Sequence, residues 1–212
     1  MNKPAAYAEL NPFTAIWTRP RETVRYVIEE KTTRFIVLLL ALVGFAGALS
    51  GASGGEQMFP AVGVIVGSLL LGPLSAVAGI AIISGIYKLL GKLFGGVGTY
   101  AEMFRAVVTA SIPQVWLLPM WLVWLITSPS TFYTEIDPVS AQPDTGLGLV
   151  VGLLLLTIVI VVGIWTFVIQ CKAVGEAQRF SAWKGFFVIM IPSVLVAIAV
   201  ITLLSLVLFA AF

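Results

Sequence analysis

Residues 57–87 read QMFPAVGVIVGSLLLGPLSAVAGIAIISGIY and contain no charged side chain. About 20 apolar residues are enough for a helix to cross the hydrocarbon core of a bilayer, so this run is longer than one straight crossing needs. Pro73 lies near its centre, where the missing N–H of proline bends a helix. The run predicts either a single kinked crossing or a re-entrant pair of helices.

Other long stretches also lack charge, and they place the chain among integral membrane proteins. Of its 212 residues, 59% are hydrophobic and 10% are charged, whereas about 25% are charged in a typical soluble domain. Runs of this length without strict alternation are typical of helices and not of barrel strands. We therefore predict an all-α fold, a polytopic five-helix transmembrane bundle preceded by an amphipathic interfacial helix. The predicted spans are residues 35–52, 59–87, 106–127, 147–171 and 186–210.

All twelve Lys and Arg residues fall in three segments, residues 1–34, 88–105 and 172–184. Five crossings put these segments on one side of the membrane, and the positive-inside rule makes that side cytoplasmic. The pattern predicts a cell-membrane protein with a cytoplasmic amino terminus and an external carboxyl terminus. It also favours one kinked second span, because a re-entrant pair would place Lys88 and Lys92 outside.

The amino-terminal segment, residues 1–34, begins with a stretch, residues 1–11, that we expect to be disordered. Between Asn11 and Lys31, apolar side chains recur at helical spacing while Arg and Glu occupy the other faces. We interpret this part as one or two short amphipathic helices in the cytoplasmic interface of the membrane, with arginines near anionic headgroups. A plain linker into the first span is the alternative. The residues assigned to the interfacial helix are Phe13, Trp17, Pro20, Arg21 and Arg25.

A glycine-rich turn precedes the third span. Glycines tolerate positive φ and close backbone approach, and Thr99 followed three residues later by Glu102 has the spacing of a helix-capping box. Glu102 and Arg105 are spaced to form an i,i+3 ion pair. The glycines would also suit a phosphate, but the Lys-Ser/Thr pair of a P-loop is missing, which favours a tight capped turn. The predicted turn and interaction residues are Gly95, Gly96, Gly98, Thr99, Tyr100, Glu102 and Arg105, with Trp183 and Lys184 in the last inner loop.

The third and fifth spans begin alike. Arg105 is followed eight residues later by Pro113, and Lys184 is followed at the same distance by Pro192. An aromatic residue precedes each base, so an aromatic group, a base and a proline recur as in an internal repeat. Coincidence is the alternative, since the match is short.

Pairs of small residues four positions apart recur along the spans. Such pairs let helices approach closely, and their spacing suits a compact bundle and a homodimer equally. The pairs are Gly47 and Gly51, Gly63 and Gly67, Ser75 and Gly79, and Gly148 and Gly152.

The chain has no histidine, which excludes a Ser–His hydrolase, a His-ligated zinc centre and an imidazole relay. Both aspartates, Asp137 and Asp144, fall in one external loop, and no ionisable side chain lies deep in a predicted span, where ion pathways place them. We expect no enzyme activity, no catalytic or metal-binding residue and no cofactor. Gln114, beside Pro113, is the polar group best placed to line a pore or pocket. Cys171 is an ordinary small apolar residue or a palmitoylation site.

Three features resemble the Yip family of Ypt/Rab-interacting membrane proteins, in its compact prokaryotic form. They are the segment NPFTAIWTRPRETVRYVIEE (residues 11–30), the turn GGVGTYAEMFRAVVTASIPQ (residues 95–114), and five spans with a short loop before the last. The resemblance covers residues 11–208 and implies five helices with a cytoplasmic amino terminus. It also implies membrane-protein partners: eukaryotic members bind prenylated Rab-type GTPases in vesicle trafficking or membrane shaping, and some bacterial relatives accompany ABC-type export systems.

We predict a non-enzymatic membrane adaptor that binds other membrane proteins through small-residue helix faces and its inner loops. Its expected partners are the lipid bilayer and other membrane proteins, an ABC transporter among them, or a second copy of the chain, and no nucleic acid. One alternative is a channel or carrier for a small solute, with Gln114 on its route and kinks at Pro73, Pro113 and Pro192. Another is membrane shaping by the amphipathic amino terminus.

Overall fold

The computed structural model describes residues 10–54, 59–127, 132–133 and 146–211. Most of the stretch predicted to be disordered lies outside these ranges, as do Asp137 and Asp144 and the surroundings of Gly148 and Gly152. The helices that position the site are α1 (Pro12–Ala15), α2 (Pro20–Glu30), α3 (Thr33–Ala52), α4 (Ala61–Leu93), α5 (Tyr100–Ala110), α6 (Ile112–Val115), α7 (Leu118–Thr127), α8 (Gly146–Ala177) and α9 (Ala182–Ala211).

The described part of the chain is an all-α bundle, as predicted. The helices α3, α4, α8 and α9 are each long and apolar enough to cross a membrane. Helices α5 to α7 pass the same test together, although Tyr100–Val115 and Leu118–Thr127 are bent by 43° at the break between them. The described residues therefore contain four candidate spans, or five if the bent pair is one crossing.

The third predicted span, residues 106–127, is not one continuous helix. Helix α5 ends at Ala110, and the single turn α6 intervenes before α7 begins at Leu118. Pro113 and Pro119 each lack the N–H that would bond to the carbonyl oxygen four residues earlier. Two prolines close together thus break the helix in the region where the sequence predicted a kink at Pro113.

The other two prolines predicted as kinks lie within continuous helices. Pro73 is inside α4, which runs unbroken from Ala61 to Leu93, and Pro192 is inside α9. The second predicted span is therefore a single helix and not a re-entrant pair. The distribution of bases predicted the same result, a single crossing instead of a re-entrant pair.

Several helices continue past the predicted span limits at the end of the bundle that carries the bases. Helix α4 ends at Leu93 and α8 at Ala177, while α5 begins at Tyr100 and α9 at Ala182. Lys, Arg and Glu are good helix formers, so charge ends the apolar run without ending the helix. We call this end the basic end and the opposite one the distal end. The bases that define it are Lys88, Lys92, Arg105, Lys172, Arg179 and Lys184.

Burial differs between the two ends. A large core joins α2 and α5 to the basic-end parts of α3, α4, α8 and α9. Apolar side chains are mostly exposed over residues 62–77 and 153–164 and throughout 194–207. An exposed apolar band is what a lipid-facing surface requires, and about 20 helical residues cover the hydrocarbon thickness. It follows that lipid contacts the distal part of these helices, while the basic end is a packed domain at the edge of the band.

Helix α2 and the residues just before it pack beside α8. The indole Nε1 of Trp165 donates a hydrogen bond to the carbonyl oxygen of Trp17 (3.2 Å). Arg25 pairs with Glu176, three turns further along α8 (Nη2–Oε1 2.5 Å). Val24 on the apolar face of α2 is fully buried in the basic-end core. The predicted amphipathic helix is therefore present, and its apolar face contacts protein.

The residues before α2 are also held by the bundle. The indole Nε1 of Trp116, at the break between α6 and α7, donates to the carbonyl oxygen of Phe13 (3.1 Å). The side chain of Asn11 accepts from the backbone N–H of Phe13 and so caps α1. Pro20 begins α2, as predicted, and Arg21 after it is exposed. Two indole donors thus attach the amino-terminal segment to α6 and α8.

Helices α3 and α4 cross at a pair of glycines. A Cβ on Gly44 would overlap the backbone of Gly72, and a Cβ on Gly72 would overlap the carbonyl oxygen of Gly44. The close approach therefore depends on the absence of side chains. The small-residue pairs seen in the sequence are not used at this crossing. Open space surrounds the Cβ positions of Gly47, Gly51, Gly67 and Gly79.

We expect Gly44→Ala to lower the free energy of unfolding by about 1–3 kcal/mol, because the added methyl group forces α3 and α4 apart. Gly47→Ala, one turn away with open space around it, is the matched control and should be at least as stable as wild type, because alanine favours a helix more than glycine does. Thermal unfolding of the purified protein in mild detergent measures both. Equal stability of the two variants would contradict this crossing.

Candidate functional site

The loop between α4 and α5 is held by hydrogen bonds within the chain. Each backbone N–H from Gly95 to Thr99 donates to an acceptor of the protein. Two of them reach Gln178: the N–H of Val97 donates to its carbonyl oxygen (3.3 Å), and that of Gly98 to its Oε1 (3.1 Å). A phosphate cradle needs backbone donors that point at the ligand. Because the donors of this loop are engaged, the loop is a tight turn and not an anion site.

Gln178 follows the end of α8, is completely buried and links three elements. Its Oε1 accepts from Gly98, its Nε2 donates to the carbonyl oxygen of Lys88 in α4 (3.5 Å), and its backbone carbonyl accepts from Val97. Leaving a buried donor or acceptor unsatisfied costs about 1–3 kcal/mol. The satisfied amide therefore fixes α4, the following loop and the end of α8 relative to one another.

Glycines make room for the Gln178 side chain. A Cβ on Gly91 or Gly96 would overlap that side chain, and a Cβ on Gly98 would overlap the carbonyl oxygen of the residue before Gln178. Gly95 has a φ of 81°, in the left-handed region that favours glycine. In this loop Gly95 therefore provides the positive φ, whereas Gly96 and Gly98 provide the close approach.

Glu102 caps α5 and pairs with Arg179. Its Oε2 accepts from the backbone N–H of Thr99 (2.7 Å), and the Thr99 Oγ1 accepts from the N–H of Glu102 (3.2 Å), so the predicted capping box is confirmed. Its Oε1 lies 3.3 Å from Nη2 of Arg179. The backbone N–H of Thr99, more than the charge of Arg179, holds the pKa of Glu102 below its ordinary value. The carboxylate is therefore charged at neutral pH.

The predicted ion pair between Glu102 and Arg105 does not form. Nη1 of Arg105 instead donates to the carbonyl oxygens of Lys31 (2.8 Å) and Ile28 (3.3 Å) at the end of α2. The last carbonyls of a helix lack partners within it, and a cation is favourable there. Arg105 thus caps α2, while the carboxylate of Glu102 is used by its own helix cap and by Arg179.

Lys184 caps the carboxyl end of a different helix. Its Nζ donates to the carbonyl oxygen of Phe94, the C-cap residue of α4 (3.0 Å). Both bases of the predicted repeat therefore bind the carbonyl end of a helix, Arg105 at α2 and Lys184 at α4. The proline half of the repeat differs, since Pro113 adjoins a helix break and Pro192 lies inside α9.

Exposed apolar side chains lie around the loops that Gln178 and Lys184 hold in place. Trp183 is 75% exposed, Leu93 80% and Val97 65%. Tyr100 is held differently, because its hydroxyl donates to the carbonyl oxygen of Ala81 in α4 (3.0 Å). The basic end thus presents aromatic and apolar side chains beside its bases, on loops whose backbone is fixed.

A cavity of about 340 Å³ lies between α3, the α6–α7 break and α8. Its polar lining side chains are Ser50, Gln114, Thr166 and Gln170, and none of its lining residues is ionisable. Within the described ranges the side-chain amides of Gln114 and Gln170 make no hydrogen bond. Gln114, which the sequence singled out as a pocket group, therefore lies on the wall of a cavity.

No group of three or more Cys, Asp or Glu side chains that could hold a metal ion is found among the residues with described positions. Cys171 is buried where α8 meets α9, and a Cβ on Gly185 would overlap its carbonyl oxygen. A thiol in this position is not accessible to acylation, so Cys171 is a packing residue and not a palmitoylation site.

The structure gathers the predicted turn residues, Arg105 and Lys184 at the basic end, whereas Pro73 and Gln114 lie elsewhere. Sequence reasoning missed Gln178, Gln170 and Glu176, because it followed charge spacing and local motifs. A signal for Gln178 did exist. Closely spaced glycines between α4 and α5 leave space that another side chain has to fill, and Gln178 is an uncharged polar residue in the loop between α8 and α9.

Together, the long apolar helices and the one-sided bases define a multi-pass α-helical membrane protein. The chain matches the family model described as Yip1 domain over residues 14–204, and it belongs to that family. The resemblance noted from its sequence is thereby confirmed, and the Yip1 family is a family of membrane proteins. No curated protein and no solved structure matches the chain.

Gln178→Leu should lower the free energy of unfolding by about 1–3 kcal/mol, because it preserves volume but leaves the Gly98 N–H without its acceptor. Gln114→Leu makes the same chemical change at an amide without a partner among the described residues, so it should not destabilise the protein. Thermal unfolding in detergent compares the two. If both variants lose stability equally, Gln178 does not have the bridging role assigned to it.

Proposed function

We propose that the chain is a non-enzymatic membrane adaptor that binds other membrane proteins through its helix faces and its basic end. The observation that best supports this is a set of small residues on α4 that the described part of the chain leaves uncovered. Gly67 and Gly79 have open space at their Cβ positions, and Ser75 is exposed. In a bilayer, where lipid is as apolar as leucine, helices associate by close packing at such small residues. Helix α4 therefore offers a face on which a partner helix fits.

The basic end supplies a second contact surface. Trp183, Leu93 and Val97 are exposed there, on segments that Gln178 and Lys184 hold in place. A preformed surface loses little conformational entropy on binding, and aromatic residues are enriched at protein interfaces. This surface suits a membrane partner that reaches the same side of the bilayer.

The distribution of bases supports a location in the cell membrane, with the basic end in the cytoplasm. In this orientation the amino terminus is cytoplasmic and the carboxyl terminus is external. An ABC-type export system and a second copy of the chain are the partners we propose. Membrane shaping by the amino terminus loses its support, because the apolar face of α2 is buried against protein.

Crosslinking in native membranes, followed by purification in mild detergent, tests the adaptor. We expect wild type to yield crosslinked complexes with a membrane protein, and Gly79→Leu to reduce their yield several-fold, because leucine blocks close helix approach. Val62→Leu is the matched control, since Val62 is 72% exposed on the same helix. Trp183→Ala tests the basic end in the same way. A wild-type protein that stays monomeric and captures no membrane protein would contradict the proposal.

The carrier alternative rests on a separate observation, the cavity beside Gln114. Flux of small neutral solutes into proteoliposomes, measured for wild type and for Gln114→Leu, distinguishes it from the adaptor. A flux that the variant loses would support a carrier. No flux with wild type leaves the adaptor as the function.

A further inference from the structure

The cavity between α3, the α6–α7 break and α8 lies where the lipid-facing band meets the packed basic end. Along α8, Ile164 is 61% exposed whereas Ile169, little more than one turn later, is fully buried. The residues of α8 that line the cavity run from Val159 to Gln170 and so cross this boundary. The headgroup level of a bilayer lies at such a boundary.

The lining is apolar toward the distal end and polar toward the basic end. Helix α8 contributes Val159 and Val162 first, then Thr166 and Gln170. The α6–α7 segment has the same order, with Gln114 nearer the basic end. Helix α3 is the exception, because its Ser50 lies toward the distal end. A ligand that follows this order has its polar end at the two glutamines and its apolar part toward the hydrocarbon.

The two glutamines need a hydrogen-bonding partner. Neither side-chain amide has one among the described residues, whereas the hydroxyl of Thr166 is satisfied by the carbonyl oxygen of Val162 (2.7 Å). Gln114 is exposed and Gln170 is half-buried, and an amide that lipid covers without a hydrogen-bonding partner costs several kcal/mol by transfer scales. Each amide offers both a donor and an acceptor, which matches a hydroxyl or an ester carbonyl.

The ligand that fits this lining is uncharged. Among the residues that the structure describes, none that lines the cavity is ionisable. Arg105 is committed to the carbonyls of α2, and Arg25 of α2 is paired with Glu176. A charged headgroup would therefore be desolvated without a counter-ion in the lining, which is strongly unfavourable.

The mouth of the cavity is not narrowed by side chains. Gly47 on α3 and Gly163 on α8 both line it, both are exposed, and the Cβ position of each is open. The volume of about 340 Å³ is at the lower end of the range of about 300–1,000 Å³ for small-molecule sites. It holds the polar end of a lipid but not two acyl chains, which have to leave through the mouth.

We propose that this cavity binds the uncharged glycerol end of a neutral diacyl lipid. The hydroxyl and ester groups bind the amides of Gln114 and Gln170, and the acyl chains leave between Gly47 and Gly163 into the surrounding bilayer. This site is separate from the small-residue face of α4 and from the basic-end surface. A result that contradicts lipid binding in this cavity would therefore leave the adaptor proposal untouched, and the reverse also holds.

The test is a binding titration of the full-length protein in detergent with dioctanoylglycerol, monitored by thermal stabilisation. We expect saturable stabilisation of wild type. Dioctanoyl phosphatidic acid differs by one phosphate and should bind at least about tenfold more weakly, because its charge finds no counter-ion in the lining. Equal or stronger binding of phosphatidic acid would overturn the assignment of an uncharged headgroup.

Two variants locate the site. The double variant Gln114→Leu with Gln170→Leu removes both amides, and Gly163→Leu fills the mouth; each should weaken dioctanoylglycerol binding by at least about tenfold. Gly51→Leu adds the same side chain at an exposed glycine of α3 that does not line the cavity, and this variant should bind like wild type. Unfolding temperature without lipid shows whether each variant is folded. Folded variants that bind as wild type does, or a wild type without saturable binding, would overturn the proposal.

Discussion

The hydrogen bonds of the Gln178 side chain are the interaction on which the basic end depends. A loop packed against other helices must satisfy its backbone N–H groups, and two of those between α4 and α5 find their acceptors on Gln178. The same side chain fills the space that Gly91 and Gly96 leave open. Hydrogen bonding and packing therefore select the same arrangement, which positions the start of α5 and, through Arg105, the end of α2.

Most of the long helices pass through two environments, lipid and the protein core of the basic end. The distal parts of α4, α8 and α9 expose valine, leucine and isoleucine, as contact with lipid requires, while their basic-end parts pack around a core like that of a soluble domain. The hydrocarbon thickness limits the first part but not the second. Helix α4 can therefore be much longer than one membrane crossing, because the part beyond the hydrocarbon packs in the basic-end core. The cavity beside Gln114 lies where the two environments meet, and this explains its mixture of apolar and amide side chains.

Local patterns in the sequence predicted local structure well. Charge-free runs located the long helices, and the Thr99–Glu102 spacing identified a capping box. Contacts between distant segments were not predictable in this way: the Gly98 donor and its Gln178 acceptor are 80 residues apart, and an amide gives no charge signal. Amphipathicity showed that α2 has an apolar face. It did not show whether lipid or protein covers that face, because both are apolar.

The contacts of α2 also bear on the order of assembly. Its carboxyl end is capped by a residue 74 positions later in the chain, and its ion pair with Glu176 spans 151 positions. A helix synthesised near the start therefore cannot reach its final packing until most of the chain has been made. Before then, its uncovered apolar face suits the membrane surface. The apolar face of α2 therefore stays uncovered until the residues that later pack against it have been synthesised.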